Sequence, residues 1–156
     1  MPRAARTSRA SARSRRLQRL RTTELPIFLV TVKPTRLAGS ESPRGWTSST
    51  KLGVAIECRQ TNHEGVLVDW IQEAGREVAA GTMLGVVMNP GAYTHTSIAL
   101  HDAIKGASVP LIELHISNVH AREEFRHRSY ISPAARGTIV GLGVKGYTLA
   151  IAALVP

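Results

Sequence analysis

From residue 52 onward, short apolar runs rich in β-branched residues alternate with longer stretches whose apolar positions recur at helical spacing. This alternation restricts the fold more than any other feature of the chain. Gly53 to Arg59, Leu84 to Asn89, Val109 to His115 and Thr138 to Leu142 read as strands, and Pro26 to Val32 as one ahead of them. Between them, Val66, Leu67, Trp70, Ile71, Ala74 and Val78 mark a helix from Glu64 to about Ala79. Ile98, Leu100, Ala103 and Ile104 mark another from Thr94 to Gly106, with Gly106 near its end, and Val144 to Leu154 reads as a closing helix. Such a series predicts an α/β fold, a parallel sheet with helices on both faces and ligands at the carboxyl ends of the strands.

One connection breaks the pattern. A parallel crossover needs a dozen or more residues, and the roughly twenty between Val32 and Gly53 leave little room for both a loop and a helix. The first crossover helix is therefore expected to be missing, which should expose apolar surface beside the first strand.

The net charge of +9 invites a nucleic-acid reading, so its location matters. Met1 to Thr23 hold eight arginines (Arg3, Arg6, Arg9, Arg13, Arg15, Arg16, Arg19, Arg21) and no acid. Removing these eight from the 20 Lys and Arg leaves twelve basic residues against 11 acidic ones. Residues 1–24 thus read as a basic tail and 25–156 as a single domain, long enough to bury a core. A solvated disordered extension, a transit peptide, a phosphate-binding arm and a misassigned start or shifted frame all fit the tail. The near-neutral body argues against nucleic acid as its partner. Cys58 alone cannot build a disulfide framework or a thiolate metal cage. No apolar run approaches the ~20 residues needed to span a bilayer, so a soluble, cytoplasmic protein is expected.

Polar residues gather where the strands end. Asn89-Pro-Gly-Ala-Tyr-Thr-His95 leaves the third strand and enters the next helix, with Asn89 and His95 placed to face a crevice. In Glu113-Leu-His-Ile-Ser-Asn118, alternation puts Glu113, His115 and Ser117 on one face. Arg122-Glu-Glu-Phe-Arg-His-Arg-Ser129 is too charged for a core and falls on the same rim.

These segments, together with Arg59-Gln-Thr-Asn-His-Glu-Gly65, Asp69-Trp-Ile71 and Gly141-Leu-Gly-Val-Lys-Gly-Tyr147, resemble the signature segments of the type II dehydroquinases. The resemblance runs almost without gaps from about Leu52 to Leu154. It implies a flavodoxin-like fold, assembly as a dodecamer built of trimers, and anti elimination of water from 3-dehydroquinate through an enolate in the shikimate pathway, without metal or organic cofactor. By resemblance, His115 is the general acid, a role that suits imidazole, and Glu113 orients it. The backbone N–H groups of Ile116 and Ser117, with Asn89, His95 and Arg126, bind the substrate. Asp102 matches an acid that reaches a neighbouring subunit's site. His63, His101, His120 and His127 match no catalytic position and read as surface or packing residues.

The family's mobile lid carries a tyrosine base and an arginine that stabilises its anion. The best alignment of Gly39-Ser-Glu-Ser-Pro-Arg-Gly-Trp46 puts Glu41 at the arginine and Trp46 at the tyrosine, and Thr35 replaces an asparagine in the preceding turn. Tryptophan has no ionisable proton and cannot serve as a base. The resemblance thus implies a dehydratase impaired as written, the alternative being a catalytically dead homologue that serves as a ligand-binding or structural subunit.

Overall fold

A computed structural model describes residues 27–34, the backbone of 46–49, and residues 52–156. The basic tail, Thr35 and Glu41 lie outside the described residues, as does the side chain of Trp46. The strands are β1 (Ile27–Pro34), β2 (Trp46–Ser49), β3 (Val54–Thr61), β4 (Gly85–Asn89), β5 (Leu111–His115) and β6 (Gly137–Val140). The helices are α1 (Glu64–Ala79), α2 (Ile98–Ala107) and α3 (Lys145–Leu154). Each element expected from Gly53 onward is present within a few residues of its expected ends.

The strands form one sheet in the order β2-β3-β1-β4-β5-β6. β4 pairs parallel with β5, and β5 with β6. β1 lies between β3 and β4 and runs antiparallel to both, and the edge strand β2 runs antiparallel to β3. The α/β architecture stands, and the expectation of an all-parallel sheet is corrected at these N-terminal strands. β3, β4, β5 and β6 share one direction, each separated from the next by a helix or an equivalent length of chain, whereas no helix is described between β1 and β3. An antiparallel pairing does not call for the long crossover that a parallel one needs. The expected exposure beside strand one does not arise at Val30 and Val32, which are 4% and 0% exposed.

Strand alternation sorts the core into two layers. Leu29, Val86, Met88 and Leu111 meet Leu67, Ile71 and Ala74 of α1 and Leu100 and Ile104 of α2 on one face. Val30, Val32, Val87, Ile112 and Leu114 meet Ala150, Ile151 and Leu154 of α3 on the other. The α1–α2 contact requires a glycine, because a Cβ on Gly75 would lie 2.7 Å from both Cβ and the carbonyl oxygen of Ala107.

Sheet and α1 are also joined by charge. Arg59, 8% exposed, donates from Nε to Glu57 Oε1 at 2.9 Å and from Nη1 to Glu73 Oε2 at 2.5 Å, with its guanidinium 5.7 Å from the centre of the Trp70 ring. Breaking a buried ion pair from one side costs about 3–5 kcal/mol. Because Glu73 is partly exposed, Arg59→Met is expected to sit near the low end, roughly 3 kcal/mol, read as a shift of the urea midpoint with unchanged slope.

Candidate functional site

β4 and β5 run side by side and end together, so Asn89 and His115 both stand at the carboxyl edge of the sheet. Glu113 and His115 are alternate residues of β5 and project to the same face. Glu113 is 0% exposed, and His115 is 6% exposed. An isolated carboxylate at such a position would be costly. It is compensated by a ring of donors drawn from three segments.

His115 Nε2 lies 2.8 Å from Glu113 Oε1. Thr94, on the 3-10 turn Gly91–His95, donates its hydroxyl to the same oxygen. Ser132 donates to Oε2, and Ser129 Oγ lies 3.0 and 3.2 Å from the two carboxylate oxygens. Ser129 is itself fixed by the backbone N–H groups of Ile131 and Ser132, at 3.0 and 2.9 Å. Burial pushes the Glu113 carboxyl up, but hydrogen bonds from His115, Ser132 and Thr94, with the His115 charge, outweigh it and hold the group below the ordinary carboxylate value. A carboxylate only accepts, so His115 Nε2 carries a proton and donates it. The second ring nitrogen, Nδ1, is left for chemistry.

The pair opens onto a cavity of about 170 Å³, whose walls include His95 and Arg126 together with Thr94, Ser129 and Ser132. His95 Nδ1 donates to the Arg128 carbonyl at 2.8 Å, which leaves its Nε2 unengaged. Arg126, on the 3-10 turn Glu124–His127, is about one-fifth exposed. The structure therefore brings together four of the expected residues: Glu113, His115, His95 and Arg126.

The others are placed differently. Asn89 is buried at the strand end, where its Oδ1 accepts from Gly91 N–H at 3.3 Å. Alternation along β4 turns it toward the α3 face, opposite Glu113. Ile116 and Ser117 follow β5 directly, half-buried and exposed respectively, and line no part of the cavity wall. The expected alternation Glu113, His115, Ser117 holds for the first two, because the strand ends at His115. Asp102 is exposed on α2, in a separate groove of about 610 Å³ between α1 and α2. Trp46 pairs with Cys58 at the sheet edge. At about 4.8 Å per strand, its four strand steps from β5 amount to roughly 19 Å. Its backbone thus belongs to an edge strand, four strand steps from His115.

Sequence reasoning missed Thr94, Ser129 and Ser132 as holders of Glu113, and His120 and His127 as cavity-wall residues. Thr94 and Ser129 stood inside motifs already singled out, but a hydroxyl in a loop carries no sign of the carboxylate it will meet. His101 is a packing residue, with Nδ1 donating to the Tyr130 carbonyl at 2.7 Å. Among the described residues, no group of three or more His, Cys, Asp or Glu side chains could hold a metal ion.

Residues 44–155 match the family model described as Dehydroquinase class II. A 3-dehydroquinate dehydratase from Variovorax paradoxus (strain S110) is 89% identical over 109 residues, covering 70% of this chain and 75% of that one. A 3-dehydroquinate dehydratase from Marinomonas sp. (strain MWYL1) is 69% identical over 108 residues, 69% of this chain and 72% of its own. Among solved structures, the type II dehydroquinase from Butyrivibrio crossotus DSM 2876 superposes with a TM-score of 0.57 at 54% identity. That superposition covers 62% of this chain and 64% of the other. The family match begins at residue 44, beyond the basic tail and β1.

Proposed function

Because the chain belongs to the class II dehydroquinase family, and so to the 3-dehydroquinate dehydratases, we propose that its reaction centre is the His115–Glu113 pair and the cavity before it. The observation that carries this reading is the buried carboxylate that accepts from His115 at 2.8 Å in a cavity shared with His95 and Arg126. Glu113 holds Nε2, so a protonated His115 presents Nδ1–H to the departing hydroxyl of 3-dehydroquinate. Once a base has taken the proton from the carbon beside the ketone, the enolate expels the hydroxyl of the adjacent carbon, which leaves as water with the His115 proton and gives 3-dehydroshikimate. In this reading the N–H groups of Ile116 and Ser117, with the Ser117 hydroxyl, hold the substrate carboxylate at the end of β5, and Asn89, His95 and Arg126 bind ring hydroxyls and the carboxylate, Arg126 as a rigid multi-donor fork.

Binding is tested apart from turnover with quinate, which carries the carboxylate and hydroxyls but lacks the ketone that the elimination needs. Calorimetric titration should show saturable binding. Arg126→Ala should weaken it by about tenfold or more, since hydrogen bonds to a charged group contribute about 1.5–3 kcal/mol. Equal affinity for parent and variant would remove the proposed site.

The same reading makes the protein a cytoplasmic homo-oligomer, a dodecamer built of trimers, in which Asp102 serves a neighbour's site. Its exposure on α2, away from its own cavity, supports that assignment. Among the described residues no helix is long and apolar enough to cross a membrane. Light scattering at micromolar concentration should report a large symmetric assembly, and a stable monomer would end the shared-site proposal.

A further inference from the structure

The loop that supplies Ser129 and Ser132 to Glu113 is held from outside by one continuous unit. Ser97, 2% exposed, caps α2 by accepting from the Leu100 N–H at 2.9 Å, and its own N–H donates to the Tyr93 carbonyl at 2.9 Å. The 3-10 turn Gly91–His95 is thereby joined to α2, which Leu100, Ala103 and Ile104 anchor in the core. Three hydrogen bonds run from this unit to the loop. The Thr94 carbonyl accepts from the Tyr130 N–H at 2.8 Å, and His95 Nδ1 donates to the Arg128 carbonyl at 2.8 Å. His101 Nδ1 donates to the Tyr130 carbonyl at 2.7 Å. Both backbone groups of Tyr130 are thus taken up by the unit, while Ser129 beside it keeps its hydroxyl on Glu113. Arg128 is exposed and Tyr130 half-buried, so burial does little to hold this stretch before Ile131, which is 0% exposed.

We infer that His101 is a positioning residue of the reaction centre, which through the Tyr130 carbonyl keeps Ser129 and Ser132 on the Glu113 carboxylate. The inference rests on the reading of the His115–Glu113 pair given above and extends it. His101 lines no part of the cavity and makes no contact with Glu113, unlike Thr94, so its effect passes through the loop. The groups that face Glu113 are His115 on its own strand, Thr94 on the turn, and Ser129 and Ser132 on the loop. Of these His115 alone is titratable. With Tyr130 untethered, the two serine hydroxyls leave the carboxylate, its burial is less compensated, and it takes up a proton more readily. The protonated acid is a poorer acceptor for His115 Nε2, and the ring loses the partner that orients it.

The test follows the Glu113 carboxyl by carbon-13 NMR titration of the full chain in the parent, His101→Leu, His101→Ala, His101→Asn, Ser132→Ala and Arg59→Met. Leucine and alanine remove the donor, whereas asparagine places an amide nitrogen where Nδ1 stands. In His101→Leu and His101→Ala, Glu113 should titrate at higher pH than in the parent, the same direction as Ser132→Ala. His101→Asn should return the midpoint toward the parent. The Tyr130 and Ser132 amides should also exchange faster in His101→Leu. Arg59→Met weakens the fold away from this loop and should leave the Glu113 midpoint in place. An unmoved midpoint in both donor-deleting variants, or an equal rise in Arg59→Met, overturns the inference. Quinate binding to the parent separates the two readings. A parent that binds quinate while the His101 variants titrate like it overturns the positioning role alone. A parent that binds no quinate overturns the reaction centre, and a raised midpoint then marks a tether without a catalytic use.

Discussion

The 156-residue chain is expected to form 3-dehydroshikimate about 10²–10⁴-fold more slowly than a relative with an intact lid, the usual cost of losing a general base. In the proposed reaction His115 supplies the acid half. The base half has no candidate among the three tyrosines. Tyr93 donates its hydroxyl to the Asn62 carbonyl at 2.9 Å. Tyr130 packs beneath Arg128, with 4.6 Å between guanidinium and ring centre. Tyr147 is pushed up to about 12 by burial, beside Asn89 and Cys58, and is a poor source of phenolate. None of the three lines the cavity. The backbone of Trp46 stands on edge strand β2, with β3, β1 and β4 between it and β5. A spectrophotometric assay for the product checks this, with a chimera whose N-terminal segment ahead of the matched region is taken from the Variovorax paradoxus 3-dehydroquinate dehydratase. The chimera should reach an ordinary enzymatic rate of about 1–10³ per second. The same rate from the unmodified chain would show that a base lies elsewhere.

Glu113→Ala should be the most damaging single change in the site, for stability and for chemistry. It removes the acceptor of four side chains, and each buried donor left unsatisfied costs about 1–3 kcal/mol. Water entering the space left by the carboxylate can restore part of this, so a loss on the order of 3 kcal/mol is expected. The effect carries a pH signature. The Glu113 carboxyl is lower in the folded protein than its ordinary value of 4.5, so the unfolded chain binds its proton first as pH falls. Its contribution is complete above about pH 4.5 and disappears as pH drops through the lower folded value. Denaturant midpoints at pH 7 and at pH 3 should therefore differ more in the parent than in Glu113→Ala. Equal differences would mean that Glu113 titrates alike in the two states. Turnover should fall as well, because His115 loses the partner that fixes its ring and its proton.

Much of the architecture was legible because each element from Gly53 to Leu154 carries its own period. Leu67, Ile71 and Ala74 mark the buried face of α1, and the β-branched run before Asn89 marks a strand buried on both faces. Glu113 and His115 were readable as a pair for the same reason: two alternate residues of one strand share a face. The end of α2 was less clear, since the residue in the left-handed conformation is Ser108 and not the nearby Gly106.

Strand direction was not legible. The residues of β1 are apolar and β-branched, and such a run is buried equally well parallel or antiparallel to its neighbours. The pattern tells that a strand is present and not which way it runs. Trp46 shows the same limit, because alignment by spacing puts it in a loop and strand pairing puts its backbone at the sheet edge. Thr94, Ser129 and Ser132 converge on Glu113 from positions 16 to 19 residues away along the chain. By itself, then, the sequence determined the elements, the faces they bury and the pairing of Glu113 with His115, all set by local periodicity. The tertiary structure alone decided the direction of β1 and the hydroxyls that keep Glu113 charged. Those depend on segments brought together by folding, and no local period records what a side chain will meet there.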